Sequence, residues 1–468
     1  MLCLCPGGIG LMTHVHLIGI GGTGISSIAR VLLEKGYVVT GSDRALSPLA
    51  LDLQNAGATV YAGHAAENIR GADIVVRSSA IADDNVEVTA ARAHGIPVQK
   101  RSDFLNSLLR EYTVLAVAGS HGKTTTSTML ALTLERLGMQ PGFILGGVSR
   151  NLGANARAGA GKYFVIEADE YDYMFLGLEP AVILITNVEY DHPDCFPTRE
   201  NYQAAFAAFV GKLKSGGILV TNANQPGAAS LVNALPAKTK CVSYGLTDQA
   251  NVVARGLSGN QVGGMSFALH APYDSPVLAN IDLRVPGEHN VRNALGVLAV
   301  HYALGNPLPE AAAALSTYTG SGRRFEIVGE VNGITVVDDY AHHPTKIKAT
   351  LAAARGRFPG QRIVAVWQPH TYSRTLALEE DFITAFMDAD LVIVTGIYAS
   401  REKVQDFSVD NLVSRITNVQ ALHIESLRDV TQYLAQILQP EDVLLVLSAG
   451  DADSVCRDVI HLLKERKG

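Results

Sequence analysis

The sequence Val114-Leu-Ala-Val-Ala118 continues directly into Gly119-Ser-His-Gly-Lys-Thr-Thr-Thr126, so a short apolar run meets a glycine-rich turn. The apolar run predicts a buried strand, and the residues after the turn predict a helix from Thr124 to about Leu137. A Gly-Lys-Thr triplet between a strand and a helix is typical of a nucleotide site, because backbone N–H groups and the lysine bind phosphates while the threonine binds Mg²⁺. The turn departs from the standard phosphate loop at Val117, where that loop has glycine. We predict phosphate binding at Gly119, Ser120, His121, Gly122, Lys123, Thr124 and Thr125.

A second glycine-rich turn lies near the N-terminus. Gly19-Ile-Gly-Gly-Thr-Gly24 fits the pattern G-x-G-x-x-G between a predicted strand, His14–Ile20, and a predicted helix, Ile25–Lys35. Such a turn lets a diphosphate approach the N-terminus of the helix. Asp43 follows about 20 positions later, where dinucleotide enzymes bind ribose. The pattern indicates a diphosphate, and it leaves NAD and a uridine diphosphate sugar as alternatives.

Carboxylates and histidines follow the next strands of this pattern. Glu167, Asp169 and Glu170 come at the end of the predicted strand Tyr163–Glu167, and three carboxylates so close together repel one another unless a cation offsets them. His192 follows the next predicted strand along the chain. We predict that Thr124 binds one Mg²⁺ and that Glu170 and His192 bind a second metal ion, with a solvated loop as the alternative for the carboxylates.

Two further loops end strands in the last third of the chain. Asp338-Asp-Tyr-Ala-His-His-Pro344 ends one strand, and Pro369-His-Thr-Tyr-Ser-Arg-Thr375 follows another. Ligands of open α/β sheets bind beyond the carboxyl ends of the strands, so these loops lie where a site is expected. Arg374 could hold a substrate carboxylate through both guanidinium nitrogens.

Short apolar runs alternate with helical stretches along most of the chain, which predicts parallel sheets covered by helices. The chain of 468 residues is too long for one core. We predict three α/β domains at residues 13–110, 111–320 and 321–468, with the small residues of Thr319–Arg323 as the last linker.

Composition excludes several classes of function. Hydrophobic residues make up 47% and charged residues 18% of the chain, with a net charge of −7 and no basic run, so nucleic-acid binding is not expected. No apolar run reaches roughly 18 residues, so membrane insertion is not expected. The five cysteines are too sparse for a disulfide framework, which favours the cytoplasm. We interpret residues 1–11 as an upstream extension, with Met12 as the functional start, and expect no zinc site at Cys3 and Cys5.

The ordered motifs resemble the Mur ligases of peptidoglycan synthesis. They are GIGGTG, SSAI, AGSHGKTTT, EADEYD, TNVEYDHPD, PGEHNVRNA, GSGRRFE, DDYAHHPT and QPHTYSRT, and they extend from about residue 13 to the C-terminus. The resemblance implies a Rossmann-like domain that binds a UDP-sugar, a central ATPase-like domain with a phosphate loop, and a C-terminal Rossmann-like domain that binds the amino acid. It also implies a cytoplasmic ligase of cell-wall synthesis, and hence of cell shape and division, that uses ATP and Mg²⁺ or Mn²⁺.

Within the family, the first domain and the last two motifs are similar to the branch that joins L-alanine to UDP-N-acetylmuramate. The resemblance assigns residues to four sites. They are UDP-sugar binding at Gly19, Gly21, Gly22, Thr23, Gly24, Ser42, Asp43, Ser78 and Ser79; ATP binding at the phosphate turn, His289, Asn290, Arg324 and Asp339; metal binding at Thr124, Glu170 and His192; and amino-acid binding at Tyr340, His342, His370 and Arg374. Lys123, His342 and Arg374 are the expected catalytic residues, with His342 accepting the proton of the amine.

Two departures from that branch weaken the assignment of the amino acid. Thr371 stands where some relatives have arginine, and Ser448-Ala-Gly450 stands where many have Gly-Ala-Gly. The alternatives are a sister ligase that recycles a murein tripeptide onto the same sugar, and an NAD-dependent oxidoreductase. We expect a monomer or weak dimer in which the third domain closes over the site and excludes water from an acyl phosphate.

Overall fold

The computed structural model describes residues 13–465 and contains three sheets in chain order. The expectations for the N-terminal extension, Met12, Cys3 and Cys5 lie outside the described residues. No described helix is long and apolar enough to cross a bilayer.

The first domain has five parallel strands in the order β3-β2-β1-β4-β5. This is the Rossmann-like order that the sequence predicted, and its switch point lies between β1 and β4, where such folds bind ligands. The elements are β1 (His14–Ile18), α1 (Thr23–Glu34), β2 (Val38–Asp43), α2 (Pro48–Asn55), β3 (Thr59–Ala62), β4 (Ile74–Arg77), α3 (Val86–Ala93), β5 (Val98–Lys100) and α4 (Arg101–Leu108), with a 3-10 turn at Ala66–Ile69.

The central domain has ten strands in the order β15-β14-β13-β12-β11-β10-β6-β9-β7-β8. Its middle is parallel, as predicted, but β13–β15 and the β7–β8 pair are antiparallel. The strands are β6 (Thr113–Ala118), β7 (Gly142–Ile144), β8 (Ala156–Arg157), β9 (Tyr163–Glu167), β10 (Val182–Ile185), β11 (Ile218–Asn222), β12 (Lys240–Gly245), β13 (Val252–Gly259), β14 (Met265–His270) and β15 (Ala279–Asp282). The helices are α5 (Lys123–Arg136), α6 (Arg199–Val210), α7 (Pro226–Ala229), α8 (Glu288–Leu304) and α9 (Leu308–Leu315), with 3-10 turns at Tyr171–Gly177 and Ser230–Ala234.

The third domain has six strands in the order β16-β17-β21-β18-β19-β20, parallel except for the edge strand β16. The strands are β16 (Glu326–Val331), β17 (Ile334–Asp339), β18 (Ile363–Trp367), β19 (Leu391–Val394), β20 (Gln420–His423) and β21 (Val443–Leu447). The helices are α10 (Pro344–Arg357), α11 (Tyr372–Ala377), α12 (Glu379–Ile383), α13 (Val409–Ser414), α14 (Leu427–Ile437) and α15 (Ser454–Glu465).

The stretch Thr319–Arg323, whose role as the linker stays a prediction, makes contacts with both the central and the third domain. Ser321 is buried, and its hydroxyl contacts those of Tyr318 and Thr128 in the central domain at 3.0 and 3.3 Å. Arg323, two residues later, already belongs to the third domain, because its carbonyl accepts the N–H of Tyr340 and its side chain contacts Asp338. The chain therefore changes domain over Gly322 and Arg323.

Candidate active site

The phosphate turn joins β6 to α5 in a backbone conformation that requires glycine. Gly119 has φ +140° and Gly122 has φ +79°, both in the region that L side chains avoid. A Cβ atom on Gly119 would lie 2.0 Å from the hydroxyl of Thr186, so the turn packs directly against the end of β10. Asn187 fixes the turn further, because its side-chain oxygen accepts the N–H of His121 at 2.9 Å. The free N–H groups at the start of α5 therefore face the site, as an anion requires.

Lys123 lies beside the carboxylate predicted to bind metal. Its Nζ donates to Glu170 Oε2 at 2.6 Å and to the carbonyl of Gly119 at 2.7 Å. Glu170 is fully buried, and burial opposes its ionisation, but Lys123 and His192 hold the pKa of its carboxyl below the ordinary value. Tyr202 donates its hydroxyl to the other oxygen at 3.0 Å. Glu170 is therefore an ionised carboxylate with a nearby cation.

The three predicted metal ligands lie at one edge of the central sheet. His192 Nε2 is 3.8 Å from Glu170 Oε1, and Thr124 donates its hydroxyl to Glu167 Oε1 at 3.1 Å. Burial raises the pKa of Glu167, while Lys123 and Arg324 oppose that shift. Carboxylate and hydroxyl oxygens are the ligands that Mg²⁺ prefers, so Thr124 and Glu170 fit the expected ion, whereas the imidazole nitrogen of His192 is not a ligand of that type.

His289 and Asn290 lie at the start of α8, on the side of the cavity assigned to adenine. Burial lowers the pKa of His289 to about 4, so its ring is neutral near pH 7. Asn290 donates to the carbonyl of Pro286 at 2.7 Å and accepts from Asn293 at 3.3 Å. Asn293 was not among the predicted site residues, although it belongs to the quoted motif PGEHNVRNA. A Cβ atom on Gly122 would lie 2.6 Å from its Oδ1, so Asn293 contacts the phosphate turn closely.

Arg324 of the third domain reaches the phosphate turn, and Asp339 supports the loop that carries Arg324. Arg324 Nη2 is 3.3 Å from the hydroxyl of Thr124, and its guanidinium lies over the ring of Tyr340 at 4.7 Å. Asp339 accepts the N–H groups of Phe325 and Ala341 at 2.7 and 2.8 Å. In this arrangement one oxygen of Asp339 holds the backbone directly after Arg324, and the other holds the backbone directly after Tyr340. Its assignment to ATP stays a prediction.

Arg374 forms a buried ion pair across the boundary between the central and third domains. Its Nε donates to Asp191 Oδ1 at 2.7 Å, and the two side chains are 4% and 1% exposed. Burial opposes the charge of Asp191, yet Arg374 and His192 hold the pKa of its carboxyl well below the ordinary value. The Nη1 atom of Arg374 is 3.0 Å from His370 Nδ1. Arg374 lines the cavity, while its Nε is already bound to Asp191 of the central domain, and its role in binding the amino acid stays a prediction.

His342 has the geometry of a neutral base. Its Nδ1 is 2.8 Å from the carbonyl of Tyr340, which makes Nδ1 the protonated nitrogen and leaves a lone pair on Nε2. Burial, together with the charges of Lys346 and Arg374, holds the pKa of His342 well below its usual value. His370, whose ring is 5.6 Å away, has its pKa lowered to about 4 by burial.

A second set of contacts joins the phosphate turn to the start of α10. His121 Nε2 is 2.8 Å from Glu189 Oε2, Thr345 donates to the other oxygen of Glu189, and His343 Nε2 is 3.2 Å from the carbonyl of Tyr190. His121, Glu189 and His343 also lie close enough together to be candidate metal ligands. Their hydrogen bonds explain the arrangement without an ion, so these residues join the two domains.

The predicted UDP end of the site is more closed. Thr23 and Gly24 line the main cavity, whereas the carboxylate of Asp43 accepts the N–H of Gly21 at 2.8 Å. Ser42 is fully buried, and its hydroxyl donates to Glu87 Oε2 at 2.5 Å. The remaining predicted residues lie around the same turn: Gly19 and Gly22 within it, and Ser78 and Ser79 after β4. The UDP-sugar assignment of these residues stays a prediction.

One cavity of about 1060 Å³ receives side chains from all three domains. Its lining includes Ser120, Thr125, His192, Tyr340 and most of the residues described above. Lys346 also lines the cavity and was not predicted. Its signal in the sequence is its place three residues after His343, on the first turn of the helix that follows a predicted site loop.

Three family descriptions match successive parts of the chain. They are "Mur ligase family, catalytic domain" at residues 14–113, "Mur ligase middle domain" at 117–301 and "Mur ligase, glutamate ligase domain" at 323–450. Together the three matches cover most of the described residues.

Similar proteins match nearly the whole chain. A UDP-N-acetylmuramate–L-alanine ligase of Pelotomaculum thermopropionicum is 42% identical, covering 97% of this chain and 98% of the relative. A protein of the same name from Roseiflexus sp. is 41% identical, covering 97% and 100%. The crystal structure of a UDP-N-acetylmuramate-alanine ligase from Thermotoga maritima superposes with a TM-score of 0.80 at 27% identity, covering 97% and 99%. A murein peptide ligase from Psychrobacter arcticus gives 0.71 at 26%, covering 96% and 98%. The predicted family is confirmed: this chain belongs to the Mur ligase family.

Proposed function

We propose that this chain joins L-alanine to the carboxylate of UDP-N-acetylmuramate and converts ATP to ADP and phosphate. The observation that carries the proposal is the similarity, over nearly the full chain, to ligases named for this reaction. The cavity supports it, because the phosphate turn, the buried carboxylates and the loops of the third domain face the same space. The family matches include the first glycine-rich turn, so an oxidoreductase is not favoured.

The first step activates the sugar carboxylate. A carboxylate oxygen attacks the γ-phosphorus, the bond to the β,γ-bridging oxygen breaks with its electron pair leaving on ADP, and an acyl phosphate forms. Positioning and charge neutralisation supply most of the catalysis in phosphoryl transfer. Lys123 and the N–H groups at the start of α5 bind the phosphates, and Arg324 reaches the same region from the third domain.

Thr124 would hold one divalent cation, and Glu170 and His192 would hold a second. When bound, Mg²⁺ supplies charge neutralisation at the phosphate oxygens. Glu170 is suited to this because it is buried and ionised.

The second step forms the amide. The neutral amine of L-alanine attacks the acyl carbon, phosphate leaves with the electron pair of the acyl–oxygen bond, and one proton leaves the nitrogen. The Nε2 lone pair of His342 is the proposed acceptor of that proton. Full turnover of His342→Gln at pH 7 would assign this role to another group. Enclosure by the third domain protects the acyl phosphate from water.

Phosphate release from ATP tests the function directly. We expect release that requires both UDP-N-acetylmuramate and L-alanine, with glycine, L-serine and the murein tripeptide assayed in parallel. Release with tripeptide and not L-alanine would assign the chain to the recycling reaction. Absence of release with every acceptor would contradict the ligase proposal.

The sparse cysteines and the nucleotide substrates support a reaction in the cytoplasm. Replacing Mg²⁺ by Mn²⁺ in the assay tests the choice of ion, and light scattering of the purified chain tests the predicted monomer or weak dimer.

A further inference from the structure

Lys346 is a cation of the site without a partner among the described residues. It lies on the first turn of α10, is half-buried and lines the main cavity, yet it forms no hydrogen bond or ion pair with any described residue. Lys123 and Arg374, two other cations of the site, differ in this respect, because Lys123 is bound to Glu170 and Arg374 to Asp191.

The surroundings of Lys346 oppose a positive charge. Burial and the charges of Lys123, Arg324 and Arg374 lower its pKa to about 8, while Asp191 acts in the opposite sense. Asp191 is already neutralised by its contact with Arg374. In addition, the N-terminal turn of a helix carries a partial positive charge, which disfavours lysine there. A lysine at this position is favourable once an anion binds beside it.

The position of Arg324 indicates which anion this is. Arg324 also comes from the third domain, forms no ion pair among the described residues and reaches the hydroxyl of Thr124 on the phosphate turn. Thr345, the residue before Lys346, contacts Glu189, which in turn contacts His121 of the phosphate turn. Lys123, Arg324 and Lys346 all line the main cavity. The three cations therefore surround the space next to the phosphate turn, and the ligand that fits them is a phosphoryl group.

We propose that Lys346 is a catalytic residue whose ammonium contacts the phosphoryl group as it passes from ATP to the sugar carboxylate. The proposal rests on the proposed function. Lys346 donates hydrogen bonds to the phosphoryl oxygens and gains or loses no proton; the bond changes are those of the first step. Because Lys346 belongs to the third domain, its contact requires that domain to be docked, as an arginine supplied by a second domain does in other phosphoryl transfers.

Two substitutions separate charge from proton transfer. Lys346→Met removes the charge with little change in length, and we expect kcat to fall by about 100-fold, since a hydrogen bond to a charged group is worth roughly one to two powers of ten. Lys346→Arg keeps the charge and cannot act as a base near pH 7. We expect it to recover activity to within about tenfold of the unmodified chain, with the KM for L-alanine changed less than kcat in both variants.

Lys348→Met is the matched control. Lys348 lies on the same helix, is exposed and contacts the hydroxyl of Thr384 at 3.1 Å, outside the main cavity. We expect its kcat to stay within about twofold of the unmodified chain. Equal loss of activity in Lys346→Met and Lys346→Arg, or no loss in Lys346→Met, would overturn the proposal.

A binding experiment tests Lys346 even if no acceptor supports turnover. Calorimetry with the full chain and Mg²⁺ compares ADP with an ATP analogue whose β,γ-bridge is an imide. We expect Lys346→Met to weaken binding of the ATP analogue about tenfold and binding of ADP by less than about twofold. Equal effects on both nucleotides, or none on either, would contradict the contact. Absence of phosphate release in the unmodified chain would instead contradict the proposed function, so the two failures are distinguishable.

Discussion

The two domain boundaries of this chain are built differently. Between the first and central domains, apolar side chains such as Phe104, Leu105, Phe175 and Phe209 belong to one continuous buried cluster. Between the central and third domains the contacts are polar, with Arg374 bound to Asp191 as the example described above. The two apolar clusters of the third domain draw only on residues after 320, within the described part of the chain.

The difference indicates which parts of the enzyme move. Separating an apolar boundary exposes apolar surface to water, which costs about 25 cal/mol of free energy per Å². Polar contacts can exchange for contacts with water at a small net cost. We therefore expect the first two domains to stay together and the third to open and close. Four experiments test this difference between the two boundaries.

The largest effect is expected at the apolar boundary. Phe175→Ala should lower the free energy of unfolding of the joined first and central domains by about 3–5 kcal/mol, because it leaves a cavity beside Phe206 and Phe209. Trp367, the one tryptophan, lies in β18 and reports the third domain by fluorescence, whereas circular dichroism reports the whole chain.

In urea, the dichroism transition should move and the fluorescence transition should not. Phe382→Ala is the matched control, because Phe382 packs on Trp367 with ring centres 4.5 Å apart. It should move the fluorescence transition instead. Movement of both transitions together in Phe175→Ala would show that the third domain shares the same cooperative unit.

The next effect is expected at the buried ion pair. Asp191→Asn removes the charge and leaves Arg374 buried without a counterion, which typically costs a few kcal/mol. The third domain can undock and let Arg374 reach water, so the cost should appear as lost activity. We expect kcat to fall about 30- to 100-fold with both urea transitions nearly unchanged. A normal kcat, or a large loss of folding stability, would contradict a boundary that opens.

Acid should weaken the polar boundary. Burial lowers the pKa of His343 to about 3, and the groups that face it are His121, Glu189, Asp191 and Lys346. The docked form binds fewer protons than the open form. The free energy of docking therefore has its full value above about pH 6.5 and decreases as the pH falls toward 3. At pH 5 the decrease is up to about 2 kcal/mol. Small-angle X-ray scattering should give a larger radius of gyration at pH 5.0 than at pH 7.5.

His343→Asn serves as the control for this measurement. His343 Nδ1 accepts the N–H of Thr345 at the start of α10, and asparagine is a favoured residue for the same role. The variant keeps the helix cap but cannot titrate, so its radius should increase less at pH 5.0. An equal increase in both proteins would assign the effect to other groups.

The smallest effect is expected at the rim of the polar boundary. Arg401 contacts Asp194 at 2.8 Å, but its side chain is 49% exposed. Exposed ion pairs contribute about 0–1 kcal/mol. Arg401→Ala should therefore change kcat less than about threefold, and the change should vanish in high salt. A loss as large as that of Asp191→Asn would mean that exposure does not distinguish the two pairs.

The sequence predicted the architecture and the position of the cavity better than the individual contacts. Glu170, His192 and Arg374 each follow a strand of a parallel sheet, and the carboxyl ends of such strands meet at one edge. The antiparallel strands β13–β15 were missed, because β13 contains two glycines and β15 has only four residues, so that these runs do not differ clearly from loops. Which face of β2 buries Ser42 depends on Glu87 in α3, and the isolation of Lys346 depends on residues of the central and third domains together. No local pattern contains such information.

Because the chain passes from the central to the third domain over Gly322 and Arg323, the third domain could be exchanged for that of another protein. No described hydrophobic core is cut there, so evolution could replace the domain and change the nucleophile, provided that the replacement supplies its own cations to the phosphate turn. A graft of the corresponding domain of a peptide-recycling relative after Ser321 should transfer the choice of acceptor. Retention of L-alanine by a folded graft would place that choice in the first two domains.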